Sequence, residues 1–143
     1  GILGLLGNPR ALGIAVHITG DEALTWTGLY RAVAHAAGLT DEQFELQRVC
    51  VPSDAMVAAA PDQAGSIHGD KMHPAVYDTS LIKELVPGWR ARIPFAEGIA
   101  ESIAWFEADA SRQVVDDAAN AMLDRLGALY RGALAQAAES ASD

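Results

Sequence analysis

Cysteine is almost missing from this chain. Cys50 stands alone, so no disulfide can close within the 143 residues, and a reducing, cytoplasmic setting is the expectation. Basic residues are scarce as well: 10 Lys and Arg face 19 Asp and Glu, a formal net charge of -9. An acidic surface repels phosphate backbones, and no Lys/Arg cluster overrides it, which argues against nucleic-acid binding and against docking to an anionic membrane. Long apolar runs are lacking too. The apolar stretches are short and broken by charge, so no segment reads as a transmembrane helix or a signal peptide. Position 1 is not methionine, and "GILGLL" reads as the end of an element, so the chain is expected to be a piece of a longer protein.

What is present is enough for a folded domain. Half of the residues are hydrophobic, which separates the chain from disordered sequences. "IAVHIT" (Ile14–Thr19) is short and β-branched and reads as a strand, and "FELQRVCV" (Phe44–Val51) alternates and reads as a second. Thr25 is placed to cap a helix over Trp26–Ala37 that Gly38 ends. Ser53 starts a short helix through Ala60, Pro61–Met72 is unpatterned and reads as a loop, and Thr79 or Ser80 caps a helical turn to Leu85. Pro94 opens a helix to Phe106 that buries Phe95, Ile99, Ile103 and Phe106, and a last helix covers Val114–Ala138. The three tryptophans, Trp26, Trp89 and Trp105, are expected to pack the core. The fold class expected is α/β (α+β as a fragment), a few short strands among several helices.

Gly1, Gly4 and Gly7 match G-x-x-G-x-x-G, a spacing that seats dinucleotides. That chemistry needs a strand before the glycines and a helix after them, so that the pyrophosphate meets a helix N-terminus. No strand precedes Gly1 in the chain, and Asn8-Pro9 breaks a helix rather than opening one. The spacing is read as coincidence, and no cofactor-binding residue is assigned.

From Leu5 onward the chain resembles the C-terminal, substrate-binding part of an extended short-chain dehydrogenase/reductase, the NAD-dependent epimerase/dehydratase family. The resemblance rests on motifs in order: "LLGNPRALGIAVHITGDEALTW" (Leu5–Trp26), "VCVPS" (Val49–Ser53), "GDK" (Gly69–Lys71), "YDTSLIKELVPGW" (Tyr77–Trp89) and "IPFAEGIAESIAWF" (Ile93–Phe106). It implies a substrate lobe over residues 1–113, with a helical extension at 114–138 and a frayed tail at 139–143 outside the match. It also implies an NAD- or NADP-binding Rossmann lobe elsewhere in the parent protein. The family's Tyr-x-x-x-Lys acid/base pair is not here, since Ala34, Leu81 and Leu134 lie four residues after Tyr30, Tyr77 and Tyr130. No catalytic residue is therefore assigned, and the chain alone is expected to be inactive.

The densest polar stretch is "SIHGDKMH" (Ser66–His73). The resemblance places it at the mouth of the substrate cleft, with Ser66, His68, Asp70, Lys71 and His73 as candidate contacts to a sugar-like or small carbonyl substrate; a solvated loop is the competing reading. Family members that use sugar nucleotides often carry Arg two residues before the Gly-Asp, and here that position is Ile67, which weighs against a nucleotide-diphosphate sugar. His68, Asp70 and His73 do not follow a metal-ligand spacing, and no metal is assigned. In the last helix Val115, Ala119, Met122, Leu126, Leu129 and Ala133 fall on one stripe. The stripe faces either its own lobe or a second copy, and a homo-oligomer is the expectation.

Overall fold

The computed structural model describes residues 1–141. Residues 142 and 143 of the expected tail lie outside them. The described residues fold as helices and tight turns in two compact units, one made of residues 1–41 and 76–108, the other of residues 42–75 and 109–141.

The first unit holds α1 (Ile2–Leu5) and α2 (Trp26–Ala36). Thr25 caps α2 as expected, its hydroxyl accepting from the Gly28 amide at 3.1 Å, and Gly38 leaves the helix at φ 86°. The second unit takes up α3 (Asp41–Gln47) from Glu42 on, followed by α4 (Ser53–Ala59) and α5 (Ala64–Ser66), which runs into a π turn over Ile67–Lys71. The first unit resumes with α6 (Ser80–Leu85) and α7 (Phe95–Glu107). The second closes with α8 (Asp117–Ser140), whose first turn is capped by the Asp116 carboxylate on the Ala119 amide.

No strand occurs among the described residues, so the expected α/β class is overturned. The two expected strands fail for different reasons. Ile14–Thr19 carries no helix or turn, but a strand exists only when a second backbone exchanges hydrogen bonds with it, and among the described residues no ladder forms with this segment. Phe44–Val51 is misread outright, because Phe44–Gln47 is the end of α3. Thr40-Asp41-Glu42-Gln43 fits the helix-starting pattern Thr-x-x-Gln with acidic residues in the first turn, and that signal outweighs the short alternation after it. The expected loop at Pro61–Met72 is also corrected. It is a helical turn at Pro61–Gln63, α5 and the π turn in succession.

Burial is sparse. Among the described residues only Phe44, Thr79, Ile82 and Leu85 are buried. The chain exposes 10636 Å², whereas two independently folded units of about half its 15.0 kDa mass would together expose roughly 8,500 Å². Trp26, Trp105 and Phe106 are exposed rather than buried in a core, and only Trp89 of the tryptophans is half-buried.

The first unit is anchored on α6. Asn8 Nδ2 donates to the Leu85 carbonyl at 3.0 Å, and Arg10 pairs with Glu84. The Asp78 carboxylate, not Thr79 or Ser80, accepts from the Ser80 amide at 2.8 Å. The Thr79 hydroxyl turns instead to Asp21 Oδ1 at 2.6 Å, and the Lys83 ammonium reaches the same oxygen at 2.7 Å. Glu22 accepts from the Phe95 amide at 2.7 Å, placing a carboxylate at the start of α7.

Asp21 gives a pH prediction. The Lys83 hydrogen bond, then that of Thr79, holds its carboxyl below the ordinary value of 3.8. A carboxyl with a lowered folded pKa stabilises the fold above its unfolded pKa, and that contribution is lost as pH falls through the lowered value. Urea midpoints of the wild type and Asp21→Asn are expected to differ most above about pH 5 and to converge as the pH drops below the ordinary carboxylate range. Parallel midpoint curves over the whole range would exclude a stabilising role for this carboxylate.

Candidate functional site

The polar segment Ser66–His73 is carried by the π turn of the second unit. The Met72 amide donates to the Ile67 carbonyl at 3.0 Å, five residues back, which closes the wide turn. Such single π turns are uncommon and recur at functional sites. Closing the turn brings the Lys71 ammonium onto the Ser66 hydroxyl and to 4.0 Å from Asp70 Oδ2. His68 turns away from these three. Its Nε2 meets Asp54 Oδ1 of α4 at 3.0 Å. His73 joins through its backbone, donating its amide to the Asp70 carbonyl at 3.2 Å. The five residues singled out from sequence therefore share one turn, with Ser66, Asp70 and Lys71 together and His68 fixed separately. Ser66 is half-buried; the other four are exposed.

Asp54 is the member that sequence reading missed. It lies in the first turn of α4, beside Ser53, the first residue of that helix. Pro52 holds the cap position, and no side-chain bond caps that end. The pairing of Asp54 with His68 joins two elements across an intervening turn, and no local periodicity announces such a contact. His68, Asp70 and His73 do not form a metal cage, and no group of three or more His, Cys, Asp or Glu suited to a metal occurs among the described residues.

A second feature belongs to the first unit. An open apolar groove of about 530 Å³ is lined by Ile2, Leu5, Leu6, Leu12, Ile14 and Val16. Two of the three N-terminal glycines are explained by packing. Gly1 lies against Ile18 and Trp89, and Gly4 against Val86. Gly7 takes φ 77° at the turn that ends α1. A helix N-terminus does not follow them at dinucleotide-site spacing: α1 precedes Gly7, and only a three-residue turn at Pro9–Ala11 comes after.

On α8 the stripe is covered only in its middle. Ala119, Met122 and Leu126 are half-buried, with Gly127 and Tyr130 beside them, while Val115 precedes the helix and Leu129 and Ala133 are exposed. Arg131 Nη1 donates to the Gln47 carbonyl at 3.2 Å, tying α8 to the end of α3. No helix among the described residues is long and apolar enough to cross a membrane. No protein-family model, curated protein or solved structure matches the chain.

Proposed function

We propose that this chain is the substrate-side portion of a cytoplasmic NAD(P)-dependent epimerase, dehydratase or reductase, and that a Rossmann lobe outside it supplies the nicotinamide and the Tyr-x-x-x-Lys pair. One observation carries the reading. The unpaired segment Ile14–Thr19 lies beside the groove, and its Ile14 and Val16 help to line it. An open apolar surface of this kind is what a second lobe would cover. The order of the motifs from Leu5 to Phe106 agrees with that assignment. In it, Ser66, His68, Asp70, Lys71 and His73 contact a sugar-like or small carbonyl substrate through hydroxyl, imidazole, carboxylate and ammonium groups. NAD or NADP binds the other lobe and supplies hydride chemistry there.

The competing reading is a non-catalytic module that self-associates, favoured by exposed Leu123, Leu129 and Leu134 on α8. One experiment separates them. The 143-residue chain is expected not to quench or transfer tryptophan fluorescence on titration with NADH. Joined to the segment encoded upstream of Gly1, it is expected to bind NADH at about micromolar levels. Saturable NADH binding by the chain alone, or an upstream segment that confers none, overturns the enzyme reading. A discrete oligomer in light scattering together with that second outcome selects the module.

A further inference from the structure

The charges around the π turn limit what it can accept. Between Ser53 and His73 the acidic side chains are Asp54, Asp62 and Asp70, and the one basic side chain is Lys71. Its ammonium is already engaged by Ser66 and lies 4.0 Å from the Asp70 carboxylate. His68 is held by Asp54, and Ile67 offers no charge. A diphosphate would bring about two negative charges to a segment that already carries an excess of carboxylates, and repulsion between like charges opposes it. Hydroxyls and a carbonyl meet no such barrier. The Lys71 ammonium has three N–H groups and can share one with a carbonyl or hydroxyl oxygen while keeping Ser66, and the exposed Asp70 carboxylate can accept from a hydroxyl.

We infer that this turn takes an uncharged hydroxylated carbonyl compound and rejects pyrophosphate and sugar nucleotides. The inference rests on the reading of Ser66–His73 as the substrate contact. The test is a titration of the isotope-labelled chain followed through the amides of residues 66–73 by NMR, with dihydroxyacetone, UDP-glucose and pyrophosphate as probes. Dihydroxyacetone is expected to shift these amides in the millimolar range, and Lys71→Ala to abolish the shift. Pyrophosphate and UDP-glucose are expected to leave them in place. In Ile67→Arg/Asp70→Asn, which neutralises one carboxylate and adds a guanidinium at the turn, pyrophosphate affinity is expected to rise about tenfold or more. Wild-type binding of pyrophosphate at the turn below about millimolar concentration would overturn the charge inference and leave the site assignment standing. Silence of these amides toward all three probes would remove both.

Discussion

Ile82→Ala is expected to lower the stability of the first unit by about 3 kcal/mol and its melting midpoint by on the order of 15 °C. Ile82 is the one fully buried side chain among the described residues, at 0 % exposure. With Leu85 it forms the inward face of α6, to which Asn8, Arg10 and Asp21 are tied through Leu85, Glu84 and Lys83. Truncation removes apolar contacts and leaves a cavity at the one point where the unit has no spare burial. Most of its other large apolar groups are exposed, so they have little buried area to offer in compensation. Leu3→Ala is the matched control: Leu3 is 84 % exposed, and its loss is expected to change stability by less than about 0.5 kcal/mol. Urea titration followed at 222 nm reads both. An Ile82→Ala chain that unfolds with the wild type would mean that α6 does not anchor the unit.

Gly4→Ala comes next in size, at about 1–3 kcal/mol of destabilisation. A Cβ at Gly4 would sit 2.4 Å from one Val86 methyl and 3.0 Å from the other. Valine is stiff at χ1 and has no long chain to swing aside, so α1 must lift from the end of α6 and loosen the Asn8–Leu85 hydrogen bond. Val86→Ala clears that space. In a double-mutant cycle the two substitutions are expected to cost less together than the sum of their separate costs, by about 1 kcal/mol. Additive costs would mean that the glycine serves something other than close packing. Unchanged stability together with loss of saturable NADH binding would restore the dinucleotide reading of the N-terminal glycines.

Several helices were legible because their signals are local. Thr25 before Trp26, Pro94 before Phe95 and the apolar spacing of Phe95, Ile99 and Ile103 act within a turn or two, where hydrogen-bond geometry is set by neighbours in the chain. Even there the reading overreached: Phe106 continues the stripe of α7 but is exposed, since periodicity states which face is apolar and not whether anything covers it. The candidate turn was legible as a polar cluster, from Ser66 to His73, but not as a π turn. A wide turn closed by the Met72 amide on the Ile67 carbonyl has no composition of its own.

By itself, then, the sequence determined charge, the starts of α2 and α7 and the grouping of polar residues on one segment, because each depends on residue identity or on near neighbours. Tertiary structure alone decided three further matters. It joined Asp54 to His68 and Asp21 to Thr79 and Lys83, contacts that chain folding makes between distant residues. It set Gly4 against Val86, a close approach that the spacing of the glycines does not announce. It left Ile14–Thr19 without a ladder, because a β-branched segment has only a preference for extension, and a strand requires the hydrogen bonds of a second backbone.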